Sequence, residues 1–401
     1  MKNRITLFIF AILFGVSTAV QAQIAVQADT IYTMEGAKIV DGIVLVDGQQ
    51  IEDVGSASDI QIPSDYKTYE TSVVTPGLID AHTVVGLAGI YNQDSDQDQL
   101  ETSTAIQPHL RAFDAYNARE ELVKFVLGKG VTTVHTGHGP GALASGQTMI
   151  AKTPYNTVEK ALIDSAKTVS FTLGSSVGQY FDTPGTKSKG VAMLRQKLID
   201  AQEYMDKMKV DDPAKRPPKN LELEALADVL NGKLTAMITA HRSQDIMTAL
   251  RLKEEFGFDM ILDGASEAYL VLDEIKAADV PVIVHPTMVR TYGASKNASF
   301  TTAAKLAKAG IPFAFQSGYE SYVPKTRIIL YEAAVASAYG LNRSMALKAL
   351  TKSPAQILGI DDRVGTLTEG KDADLVLFDG DPLEYTTHIS TVIVDGNVVK
   401  K

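Results

Sequence analysis

Near the start of the chain, apolar positions come in short runs broken by turn residues: Ile31-Tyr32-Thr33, then residues 42–46, then 51–54. Runs of this length, rich in β-branched residues, predict strands. Asp47-Gly48 between two of them predicts a hairpin, because both central turn positions need a positive φ that Asp and Gly tolerate. The far end repeats the style in residues 373–378 and 391–399, the latter interrupted by Asp395-Gly396. Two β segments therefore bracket the chain. Between them, from about 75 to 360, apolar runs alternate with helical stretches: 78–79, 131–134, 236–239, 260–262, 280–284 and 311–315. Helices before several of these runs end in glycine, as at Gly130 and Gly310. A long βα repeat of this kind predicts a barrel of parallel strands. An open doubly wound sheet is the alternative, weakened because no Gly-rich dinucleotide fingerprint follows the first strand. Residues 210–220, rich in Pro and charge, predict a surface loop.

The first residues carry a different pattern. Lys2 and Arg4 precede an apolar run over 5–16, and Val20-Gln21-Ala22 follows. That predicts a secretory signal peptide cut after Ala22, too short in its apolar part to span a bilayer, and hence an exported protein, periplasmic or extracellular. The leader holds two cations and no acid, so against a whole-chain charge of −10 the processed chain of 379 residues would carry −12. Such an acidic surface excludes a nucleic-acid backbone as partner. With 45% apolar positions the chain can bury a large core. It has to do so without disulfides, since Cys is absent. The same absence removes lipid-modified cysteine and thiolate zinc sites, leaving seven His and the carboxylates as metal donors.

His82 closes the run Thr75-Pro76-Gly77-Leu78-Ile79-Asp80-Ala81-His82-Thr83, at the carboxyl end of an apolar strand, where a barrel keeps its active site. This stretch resembles the first barrel strand of the amidohydrolase superfamily, which includes imidazolonepropionase and dihydroorotase. Ser353-Pro354-Ala355-Gln356-Ile357-Leu358-Gly359 and the segment from Gly365 through Lys371-Asp372-Ala373-Asp374-Leu375-Val376 resemble that family's closing helix and returning sandwich strand. The second motif is itself a turn and a buried strand, so it identifies the fold and carries no catalytic role. The resemblance implies an α/β chain: a (β/α)8 TIM barrel with a small composite β-sandwich from the N- and C-terminal segments. Residues 1–22 would be the signal peptide, 23–74 plus 361–401 the sandwich, and 75–360 the barrel, in an exported imidazolonepropionase-like branch.

Active members of the superfamily hold one or two divalent metals with His-x-His on strand 1, Lys or Glu on strand 4, His on strands 5 and 6 and Asp on strand 8. The resemblance therefore implies a divalent metal, zinc first, with iron or manganese not separable from it. This chain departs from the pattern at most positions. Val84 replaces the second imidazole with an isopropyl group that has no lone pair. Asp263-Gly264 ends the strand 6 run, Ser317-Gly318 follows the strand 8 run where the family places its Asp base, and Ser170 stands in the strand 4 region. His82 and His241 are left as the catalytic and metal-binding candidates, short of the three protein ligands of a catalytic zinc site. His135, His138, His285, Asp263 and Lys152 are candidates for binding substrate. For the three His, hydrogen bonding or a plain structural role weighs ahead of a metal, and for Lys152 a solvent-facing ammonium weighs equally. His109 and His388 are expected at the surface or in the sandwich. Asp94, Asp96, Asp98 and Glu101 form a charged loop that a solvated face explains as well as substrate access does. The expected function is hydrolysis of a non-peptide C–N bond in a small amide or cyclic amide, with metal-bound hydroxide as nucleophile. The alternative is a metal-free ligand-binding protein or partner subunit on the same fold. A small-molecule substrate is expected, with no nucleic acid, no membrane once the leader is gone, and a homo-oligomer or paralogous subunit left open.

Overall fold

The computed structural model describes residues 23–91, 93–287, 293–318 and 329–400, so the expected leader lies outside the described residues. Four strands open the chain: β1 (Gln23–Ile31), β2 (Ile39–Asp47), β3 (Gln50–Ser56) and β4 (Lys67–Pro76). The central ten are β5 (Leu78–Thr83), β6 (Val131–Thr136), β7 (Ala144–Gln147), β8 (Met149–Lys152), β9 (Leu162–Asp164), β10 (Thr168–Thr172), β11 (Thr235–Ala240), β12 (Met260–Gly264), β13 (Val282–Val284) and β14 (Phe313–Phe315). The last three are β15 (Leu375–Phe378), β16 (Ile389–Val394) and β17 (Asn397–Lys400).

Both termini enter one seven-stranded sheet, ordered β17-β16-β15-β4-β1-β2-β3. Its alternating side chains bury an apolar face of Ile24, Val26, Val44, Val46, Leu375 and Leu377, among others. The two Asp-Gly pairs behave differently. Asp395 and Gly396, with φ of 46° and 68°, form the two-residue turn between Val394 and Asn397, as the sequence predicts. At the first pair, Asp47 is still paired with Gln50, so the turn falls on Gly48-Gln49, one residue late.

The central strands form two sheets, β14-β13-β12-β11-β10-β7 and β5-β6-β8-β9. Strands β10 to β14 are parallel neighbours, and β5 is parallel to β6. The sheets meet along both edges. Thr83 bridges Gly318 in parallel, and Thr148 donates its amide to Thr168 O and accepts from Lys167 N, each at 2.9 Å. This arrangement is an α/β fold with mixed sheets consistent with a TIM-barrel-type topology. Period-two alternation sorts the side chains. Val169, Phe171, Ile238, Leu262, Val284 and Phe315 join the main core, whereas Ala81, Met237, Ile261, Ile283 and Ala314 make a separate small cluster.

One stave departs from expectation. Residues 139–153 contain the strands β7 and β8, and β8 runs antiparallel to β6, against the parallel order expected of the barrel, with Thr133 opposite Lys152 and His135 opposite Ile150. Residues 210–220 are an exposed excursion with one short helical turn, Pro213–Lys215.

Candidate functional site

Polar side chains lie next along the strands toward their carboxyl ends, beyond the small apolar cluster of five staves. Asp263, on β12, is at its centre. Its Oδ1 lies 3.0 Å from His82 Nδ1 and accepts from Gln316 Nε2 at 2.6 Å, while its Oδ2 accepts from Thr239 Oγ1 at 2.6 Å. Asp263, His82 and Gln316 are all fully buried. Burial alone would raise the Asp263 carboxyl, but the charge of His82 and the three donors hold it below its ordinary value. A second chain of bonds runs beside it. His135 Nδ1 meets Ala81 O at 2.7 Å, its Nε2 meets Thr148 Oγ1 at 2.6 Å, and that hydroxyl meets Thr168 Oγ1 at 2.7 Å. The rings of His82 and His135 are 6.0 Å apart. Burial, then the neighbouring His82, push His135 down to about 3. A third group joins the first and last staves: Asp80 accepts from the Ser317 amide at 3.0 Å and from the Ser317 hydroxyl. Burial raises Asp80 to about 7 in spite of those donors.

His241 and His285 follow directly on β11 and β13. Burial lowers His241 to about 4, and its Nδ1 lies 2.8 Å from Ser266 Oγ. The His285 amide donates to Gly264 O at 3.0 Å. The structure thus brings His82, Asp263, His241 and His285 to the carboxyl ends of four staves.

Other candidates part from their expected roles. His135 is close by, but both its ring nitrogens are engaged within the protein, so it braces the wall and offers nothing to a substrate. His138 is buried in its glycine-rich loop, and burial lowers it against the pull of Asp98. Lys152 is turned away from the imidazoles altogether. Because β8 runs antiparallel, Lys152 lies opposite Thr133, toward the amino end of β6, and its ammonium pairs with Asp372 at 2.8 Å, Asp374 at 3.1 Å and Asp395. His388 is exposed beside Asp379, and His109 is half-buried. Asp94, Asp98 and Glu101 stay at the surface, as a solvated face would; Asp96 is half-buried and accepts from the Gln93 amide.

The metal expected from the resemblance, with His82 and His241 as ligands, finds no donor set. Among the described residues no group of three His, Asp or Glu side chains is placed to hold an ion. Val84 is buried and apolar, and the Asp263 oxygens already accept from three donors. The described residues do not fit a divalent metal.

Sequence reasoning missed Thr239, Gln316, Thr148 and Asp80. Parity was the available signal: Thr239 lies two residues before His241, and Gln316 two after Ala314, so each shares the inward face of its stave.

The model of the Amidohydrolase family matches residues 73–400. Amidohydrolase tasK of Hapsidospora irregularis is 24% identical over 380 residues, 84% of this chain, and the chain spans 37% of that relative's length. The imidazolonepropionase of Thermoplasma volcanium is 23% identical over 362 residues, covering 82% of this chain and 84% of that protein. Among solved structures, an amidohydrolase from Thermotoga maritima MSB8 superposes with a TM-score of 0.88 at 28% identity, over 94% of this chain and all of the other.

Proposed function

Because the chain belongs to the amidohydrolase family, we propose that it hydrolyses a non-peptide C–N bond of a small amide or cyclic amide, as an exported protein, on an eight-stave barrel carrying a composite terminal sandwich. One observation carries this reading: a buried carboxylate fixes the orientation of hydrogen-bonding groups at the carboxyl ends of the staves. Gln316 commits its amide nitrogen to Asp263, and its carbonyl oxygen, buried with no partner among the described residues, is the acceptor an amide N–H needs. His241 is neutral at pH 7 and its Nδ1 is anchored on Ser266. A neutral imidazole accepts a proton from the attacking water and returns it to the leaving nitrogen as the C–N bond breaks; lowered to about 4, it is a weaker base than one poised near 7 and a correspondingly stronger acid in the second step.

The test is turnover. The processed protein is incubated with lactams, hydantoins, dihydropyrimidines, imidazolones and N-acyl amines, and ring-opened product or released amine is read by mass spectrometry. Hydrolysis of at least one class, lost in His241→Ala, is the expected outcome. Cell fractionation tests export.

A second reading, a ligand-binding protein or the partner of a more complete paralogue, is favoured by Val84 and by the saturation of Asp263. Saturable binding from the same panel with no turnover would decide for it.

A further inference from the structure

We infer that the carboxyl end of the barrel is packed to exclude a divalent metal, its ligand positions being filled by side chains of the chain itself. Three independent features converge on this. Asp263 has both oxygens engaged, by His82, Gln316 and Thr239, and a cation would have to displace those buried donors from it. His135 has both nitrogens engaged, by Ala81 O and Thr148 Oγ1. The third feature is steric. A Cβ on Gly318 would lie 2.7 Å from both Cε1 and Nε2 of His285, and one on Gly264 would lie 2.7 Å from His241 Cε1. The two rings therefore occupy the space in which a side chain at 318 or 264 would begin. Both glycines have left-handed φ, 87° and 76°, so any other residue is strained there as well. Substituting a single carboxylate back at 318 accordingly collides with His285 and does not rebuild a site.

This inference concerns the donor set and holds whether or not the chain turns over an amide, so the turnover test and the following one fail separately. The processed protein, expressed in medium supplemented with zinc and manganese, is dialysed and its metal content read by mass spectrometry. Its melting temperature is then followed with added zinc, with manganese and with chelator. Metal far below one equivalent and a melting temperature indifferent to all three are expected. One equivalent of metal that disappears in both His82→Ala and His241→Ala overturns the inference. Metal that persists unchanged in those variants is bound elsewhere and supports it. Gly318→Asp, should the alanine variants not fold, reads the steric half: a lower melting temperature, partly recovered by adding His285→Ala, with no metal gained. Stoichiometric zinc in Gly318→Asp with an unchanged melting temperature would overturn the inference too.

Discussion

Asp263 shows why a single residue governs this site. A carboxylate accepts and never donates when ionised, so it can satisfy His82, Thr239 and Gln316 together in a buried place, and no other side chain of similar size does this. Asp263→Asn puts an NH2 group against at least one of those donors. Leaving buried donors unmatched in this way costs about 1–3 kcal/mol per group, and urea denaturation should show the midpoint falling accordingly. A loss within the ordinary surface range would mean that the network carries little of the stability. Thr148 is the neutral counterpart. Thr148→Val keeps the shape but leaves His135 Nε2 and the Thr168 hydroxyl unpaired, a loss of about 1–3 kcal/mol by the same measurement.

At the scale of elements, the terminal sheet is clasped to the barrel by Lys152. Burial would lower its ammonium, but Asp374, Asp395 and Asp372 together push it above its ordinary value. Asp395 also accepts from Tyr155, and Arg363 shares Asp372 at 2.7 Å. Lys152→Met leaves three carboxylates facing one another and should cost about 3–5 kcal/mol, with amide exchange accelerating first in β15 and β16. Adding Asp395→Asn should recover part of the loss, and full additivity of the two changes would contradict the clasp. Lys152 also marks where the sequence stopped being legible. The βα repeat and the β segments at both ends were visible in hydrophobic spacing, because burial imposes a period that residues reveal individually. Strand direction leaves no such mark: Met149-Ile150-Ala151 is apolar whichever way it runs, and the reversal is made upstream, in the connection 137–143 between β6 and β7, with Thr148 the single residue between β7, antiparallel to β10, and β8. His82, His241 and His285 were legible because each ends an apolar run. The acceptor role of Asp263 was not, since a carboxylate at a liganding position and one closed by three donors read identically until its neighbours on β11 and after β14 are in place.

For the whole molecule, the buried titratable groups set how stability depends on pH. His135 and His241 are lowered from 6.5 to about 3 and about 4, so between about pH 4 and 6.5 each is neutral when folded and takes up a proton on unfolding. Each therefore contributes stability that grows as pH rises through that window. Asp80 works the other way. Raised from 3.8 to about 7, it is protonated when folded and releases a proton on unfolding across the same window, so its contribution declines as pH rises. Asp263, depressed, is ionised in both states above its ordinary value and adds no slope there. His138, lowered by burial, sides with these two His, and Asp374, raised by burial, sides with Asp80; each fully shifted group tilts stability by about 1.4 kcal/mol per pH unit in its own direction. Asp80→Asn removes one opposing group while keeping an acceptor for Ser317, and stability should then rise more steeply with pH, by about 1.4 kcal/mol per pH unit. Urea unfolding of both proteins at several pH values between 4.5 and 6 measures this. An unchanged slope in Asp80→Asn would show that the carboxyl is ionised in the folded protein, and that Ser317 and its surroundings stabilise the charge against burial.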